Sequence, residues 1–223
     1  MEENDNVNMN VETFSFFASP IFKINMPEYV DIVREVAEET LEMTPQDEEM
    51  DDLYPTKHSM TFHAHSKIDD FSREVIQIAW DALNVQGYNM QKFNTFYDSM
   101  WLQEHHKMSA MEQHIHSGIQ LVGFYFLDVP LNSSRLILHD PRPGKIQMDL
   151  VEQDIKNITF ASKMINFEPK VGDLFFIPSW LPHSFSRHGN DEVLKFVHIN
   201  VGVDYSGQID QNEGYCTNEP III

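Results

Sequence analysis

The chain has 223 residues, 42% of them apolar and 12% aromatic, enough to bury the core of one large domain or two small ones. Acidic residues outnumber basic ones 35 to 15, for a formal net charge of -20 at pH 7. A field of that sign repels polyanions, so nonspecific binding to nucleic acid or to an anionic membrane is excluded and only a local basic pocket stays open. The one cysteine, Cys216, excludes an intrachain disulfide and fits a reducing compartment. No apolar stretch approaches the ~20 residues of a membrane span, and the acidic start "MEENDNVNMN" is unlike a secretion signal, so a cytoplasmic protein is expected.

In chain order, residues 1–12 read as a mobile N-terminus. "TFSFFASPIFKINMP" (13–27) reads as a strand interrupted at Pro20. "PEYVDIVREVAEETLEMT" (27–44) opens with Pro at a helix N-terminus, and Val30, Val33, Ala37 and Leu41 recur at helical spacing, predicting an amphipathic helix. "PQDEEMDDLYP" (45–55) reads as a solvated acidic loop rather than a cation site, because like charges repel one another. "DDFSREVIQIAWDALNVQG" (69–87) predicts a second helix, with Asp caps, a Phe71–Val75–Ile78–Ala79 stripe and Gly87 as a stop.

After Gly87 come short β-branched and aromatic runs: "KFNTFYDSMWLQEH", "IQLVGFYFLDV", "SRLILHD", "NITFASKMINFEP", "DLFFIPSW", "HSFSRH" and "VLKFVHINVGV". The turn clusters "PLNSS", "DPRPGK", "KVGD" and "HGND" separate them. Strands at this spacing predict a mainly β fold with flanking helices, a sandwich or jelly roll with both helices on one face. One domain is expected over 13–203, followed by a C-terminal tail, 204–223.

Histidines carry the candidate chemistry. In "EQHIHSG" side chains alternate, so His114 and His116 point to one side with Ile115 opposite, within reach of one metal ion. The pair alone is weak evidence, since His63 and His65 repeat the spacing in "FHAHSK", which reads as a loop. The second element is "VGDLFFIPSWLPHSFSRH", where a proline-bearing loop holds His183 at the start of a strand. A jelly roll brings early and late strands together at its mouth, so His183 can complete a three-ligand face. Imidazoles suit iron, zinc, copper or nickel, and three protein ligands leave positions open for catalysis.

These segments resemble a branch of the 2-oxoglutarate- and Fe(II)-dependent oxygenases common in bacteria and phages. "MWLQEHHKMSAMEQHIHSGIQLVGFYFLDVP" is similar to that branch's tryptophan strand, His-x-His and following strand. "LILHDPRP" is similar to its Asp-Pro-Arg-Pro turn, "GDLFFIPSWLPHSF" to its Pro-Ser-Trp-Leu-x-His segment, and "FASPIFKINMP" to its first strand. The resemblance covers roughly residues 13–202 and implies a double-stranded β-helix (jelly roll, cupin-like). It implies an iron held by His114, His116 and His183, with 2-oxoglutarate as cosubstrate and O2 as oxidant. Hydroxylation of a protein side chain or a small metabolite would follow, in the host cytoplasm if the chain is phage-encoded. Neither nucleic acid nor membrane is expected as a partner, and homo-oligomerisation stays open.

The commoner iron triad is two histidines and a carboxylate, whereas His116 takes the carboxylate's place here; Glu112 is the alternative ligand. The branch also places an arginine on the last core strand to hold the far carboxylate of 2-oxoglutarate, and counting back from Asn200 that position is Leu194. Arg187, Lys195 (should its strand bulge) and Tyr125 are the candidates to take over. If none does, two alternatives stand: a cupin-like binding or structural module, or a three-histidine dioxygenase or hydrolase needing no keto acid. Of the other histidines, His105 and His106 read as solvent-exposed loop residues, His188 as a turn residue, and His198 as a residue facing the barrel interior.

Overall fold

The computed structural model describes residues 12, 15, 17–45, 55–148 and 150–206. Most of the expected N-terminal segment, most of the acidic loop and the tail beyond 206 lie outside these residues. After Pro20 the chain forms β1 (Phe22–Asn25), and a 3-10 turn at Pro27–Tyr29 leads into α1 (Val30–Met43). Then come β2 (Thr56–His58), α2 (Asp69–Val85), β3 (Phe93–His105), β4 (Met111–His114), β5 (Leu121–Asp128), β6 (Leu136–His139) and a short helix, α3 (Pro143–Ile146). The chain continues through β7 (Met164–Phe167), β8 (Asp173–Pro178) and β9 (His183–Phe185) to β10 (Leu194–Tyr205), which runs two residues into the expected tail.

Two antiparallel sheets face each other. The larger has the order β1-β8-β5-β10-β3-β2 and the smaller β4-β9-β6-β7. This is the predicted jelly roll. Alternation along each strand separates two cores. On β5, Tyr125 and Leu127 face the helices, where they join Val33 and Ala37 of α1 and Phe71, Val75 and Ala79 of α2. Val122, Phe124 and Phe126 face the barrel interior with Phe175, Phe185, Leu194 and Phe196. Arg34 fixes α1 to the end of β5 by donating to the Leu127 carbonyl (3.0 Å) and to Asp128 (3.1 Å).

β10 pairs with β3 along its whole length, aligning Leu194 with His105, Phe196 with Gln103, His198 with Trp101 and Asn200 with Ser99. A bulge does occur at Lys195, but it skips a residue of β5 and leaves Lys195 on the helix side. Gly172, before β8, adopts φ +83°, and a Cβ there would lie 2.9 Å from the Pro27 backbone. Gly172→Ala therefore combines a left-handed backbone with a clash that no side-chain rotation relieves. A loss of roughly 2–3 kcal/mol is expected, checked by urea unfolding; an unchanged midpoint would refute the close approach.

Candidate metal centre

β4 ends at His114 in register with His183, the first residue of β9, and two residues later the His116 backbone N–H donates to the Ser179 carbonyl at 3.0 Å. The loop before β9 is thus tied to the His-x-His segment. One nitrogen from each of His114, His116 and His183 falls within 4.8 Å of the others. The His114 and His183 rings are 4.4 Å apart, and the His116 and His183 rings stack at 5.2 Å.

The tautomers favour ligation. His114 Nδ1–H donates to the Glu112 carbonyl (2.8 Å) and His183 Nδ1–H to the Leu181 carbonyl (2.9 Å). A carbonyl can only accept, so each ring carries its proton on Nδ1 and presents the Nε2 lone pair. His116 Nε2 and His183 Nε2 are buried without a hydrogen-bond partner. Burial first, then the neighbouring imidazoles, lowers the pKa of both His116 and His183 to about 4, so both are neutral donors at pH 7. A metal ion fits this donor set. Glu112 is exposed and outside the group; its backbone oxygen, not its carboxylate, serves the site.

The residues expected to receive the keto acid lie elsewhere. The Tyr125 hydroxyl donates to the Met26 carbonyl (2.6 Å) and its ring packs on Phe71, in the helix-side core. Arg187 is exposed and donates to the Met108 carbonyl (3.0 Å), because β9 has ended at Phe185 and strand parity no longer directs it. Lys195 pairs with Glu38 of α1 (2.5 Å) and with Glu104 (3.4 Å). Structure also corrects the reading of His105 as an exposed loop residue: it closes β3, is fully buried, and packs against Phe185 and Phe196. His188 lies outside the strands yet is fully buried; its Nδ1 accepts from the Ser134 N–H and its Nε2–H donates to the Glu192 carbonyl. His198 does face the interior, only 1% exposed, stacked on Trp101 at 4.1 Å and 5.2 Å from the His116 ring. His63 stacks on Tyr97 and His65 caps a 3-10 turn, so that pair has structural work.

Residues 99–193, which contain all three histidines, match the family model of putative 2OG-Fe(II) oxygenases. No curated protein sequence matches. Among solved structures, the chain is similar to the non-heme alpha ketoglutarate dependent epimerase SnoN from nogalamycin biosynthesis, at TM-score 0.59 and 13% identity over 85% of this chain and 79% of that one. It is also similar to a prolyl-4-hydroxylase from Pseudomonas putida, at TM-score 0.55 and 13% identity over 82% and 93% of the two chains. A viral collagen prolyl hydroxylase from Paramecium Bursaria Chlorella virus-1, solved with 2OG, aligns at TM-score 0.51 and 10% identity over 81% and 94%. The fold is therefore the double-stranded β-helix of these oxygenases. With the match over the histidine segment, the chain is similar to the 2-oxoglutarate- and Fe(II)-dependent oxygenases in fold and in the placement of its three histidines.

Proposed function

We propose that the chain is an Fe(II)- and 2-oxoglutarate-dependent dioxygenase that hydroxylates a protein side chain or a small metabolite. The observation that carries this reading is the convergence of three imidazoles within the family-matched segment, two of them held by their Nδ1–H bonds with Nε2 free to ligate. His114, His116 and His183 would hold the metal on one face. Iron bound there would supply the redox chemistry by which O2 converts 2-oxoglutarate to succinate and CO2 while one oxygen atom enters a substrate C–H bond. The chain's own part is to fix the imidazoles through the Glu112 and Leu181 carbonyls and to keep water away with the Phe124, Phe185 and Phe196 rings below them.

A cleft of about 600 Å³ beside this end of the barrel offers room for a substrate. Tyr88, Phe93, Pro178 and Trp180 line it, and it shares Ser179 with the tether of His116. Its apolar, aromatic walls suit an uncharged group better than a phosphate. No helix among the described residues is long and apolar enough to cross a membrane.

One observation favours a second reading. Arg187 and Lys195 both point away from the interior and Leu194 faces it, so a three-histidine dioxygenase that uses no keto acid remains the rival. Anaerobic titration of the Fe(II)-loaded protein with 2-oxoglutarate separates the two. The proposal expects a weak visible metal-to-keto-acid band and, once O2 is admitted, succinate in proportion to 2-oxoglutarate consumed. A spectrum that 2-oxoglutarate leaves unchanged would hand the site to the rival.

A further inference from the structure

Among the described residues, the buried side-chain atoms without a hydrogen-bond partner are Gln103 Oε1, His105 Nδ1, His116 Nε2, His183 Nε2, His198 Nδ1 and Asn200 Oδ1. Each such atom costs about 1–3 kcal/mol when left dry and unpaired. A bound metal accounts for two of them. The other four lie on β3 and β10, on the strand positions that face the barrel interior.

These four form a polar file running away from the metal. Asn200 and His198 are at the metal end. Gln103 lies one strand step beyond the Trp101–His198 pair, about 7 Å at the usual rise, with His105 one step further. Opposite them on β10 stand Phe196 and Leu194. The offset to Gln103 is on the scale of the short carbon chain separating a dicarboxylic keto acid's chelating end from its far carboxylate, and His105 reaches back toward that point through its contact with the Gln103 amide.

Gln103 and His105 form a unit. The Gln103 amide and His105 Nε2 lie 2.8 Å apart, both side chains with no exposed surface. If the amide nitrogen donates to Nε2, the imidazole proton sits on Nδ1, which is the unpartnered atom. If the amide is turned, Nε2–H donates to the amide oxygen and the amide nitrogen becomes unpartnered. Either arrangement leaves at least one spare N–H donor in a dry interior.

We propose that Gln103 and His105 together hold the far carboxylate of the keto-acid cosubstrate, through neutral N–H donors in place of a cation. This inference rests on the oxygenase reading above. The edges of Phe185 and Phe196, whose ring centroids lie 5.3 and 5.2 Å from His105, form the apolar cradle for the intervening methylenes and must shift to admit them. An N–H bond to a carboxylate is stronger than a neutral pair but weaker than a bidentate arginine clamp. The site therefore prefers a dicarboxylate only modestly.

The test compares two ligands on the metal-loaded full chain under anaerobic conditions: 2-oxoglutarate, and 2-oxopentanoate, in which a methyl replaces the far carboxylate. Co(II) absorption monitors the metal site independently of turnover. Expected for the wild type is a preference for 2-oxoglutarate of about tenfold, equal to ~1.4 kcal/mol. His105→Phe should erase that preference by weakening 2-oxoglutarate alone, with the Co(II) spectrum unchanged. Gln103→Leu, which keeps the side-chain size, should do the same and serves if His105→Phe does not fold. Equal weakening of both ligands would mean a merely structural role and overturn the proposal, as would an unchanged preference. Should the wild type bind Co(II) but neither keto acid, the cosubstrate reading itself falls and the anchor with it.

Discussion

Replacing His183 by alanine abolishes metal binding: affinity for Co(II) or Fe(II) should fall by at least ~100-fold, and succinate formation with it. The size of the effect follows from geometry. His183 is fully buried, its ring is fixed by the Nδ1–H bond to the Leu181 carbonyl, and its Nε2 has no other partner. It is also the only member of the triad supplied by the smaller sheet's central strand pair, β9 and β6; His114 and His116 come from β4 and the loop after it. Two imidazoles two residues apart on one segment cannot define a face by themselves. Truncation also opens a cavity beneath Phe124, so about 2–4 kcal/mol of stability goes too and binding must be measured where circular dichroism shows the variant folded. His63→Ala, in the look-alike pair, is the control and should leave binding unchanged. Isothermal titration with Co(II) decides: wild-type affinity in the His183 variant would remove the three-histidine site.

Both halves of the histidine cluster were legible because each carries local signals. "HIH" has the period of a strand, and "PSWLPH" carries two prolines that leave the loop few conformations. Their meeting follows from the jelly-roll topology, which the regular spacing of turns implies. The keto-acid candidates failed for a different reason. Parity arguments hold only while a strand lasts, and β9 is three residues long, so Arg187 falls beyond it. For Lys195 parity held: the bulge belongs to β5, and the ammonium turned to the carboxylates of Glu38 and Glu104.

His105 was hidden by its neighbours. "EHHKM" is polar enough to read as a loop, yet Trp101, Gln103 and His105 recur at every second residue, continuing the strand period. What lengthens β3 is its partner. β10 supplies an unbroken ladder down to Leu194, and satisfied backbone groups override the local polarity. The short β2, paired to that same end of β3, has no clear signal of its own; it exists because β3 offers an edge.

The second large effect is loss of stability in mild acid. His105 is held near a pKa of about 3 and His183 near about 4, while His198 lies well below its ordinary value; burial is the leading cause for each, with nearby imidazoles adding to it. In the unfolded chain all three return to about 6.5. Below that pH the unfolded state binds protons that the folded state refuses, so stability falls as pH falls, by about 1.4 kcal/mol per unit for each histidine until its folded pKa is reached. Three fully buried rings together give on the order of 4 kcal/mol per pH unit between about 6.5 and 4. Set against a typical 5–15 kcal/mol, that is enough to unfold the metal-free protein near pH 5.

His116, also lowered to about 4 by burial, adds to the same loss, whereas the shifted carboxylates and lysines act outside this window. Asp140, lowered by its bond to Arg142, and Asp154, lowered by hydrogen bonds from Lys156 and Asn157, contribute stability that is lost only below their ordinary carboxylate range. Lys67 and Lys195, raised by their glutamates, matter only in strong base. A bound metal competes with protons for His183, so the loaded protein should stay folded to lower pH than the metal-free protein. Urea midpoints at about pH 7.5, 6.5 and 5.5, with Co(II) or with chelator, read both effects. His105→Phe should make the acid slope of the metal-free protein measurably shallower, because one of the refused protons has gone. A midpoint that does not change between pH 7.5 and 5.5 would mean these imidazoles are not held neutral in the barrel, and the basis for Nε2 ligation would go with it.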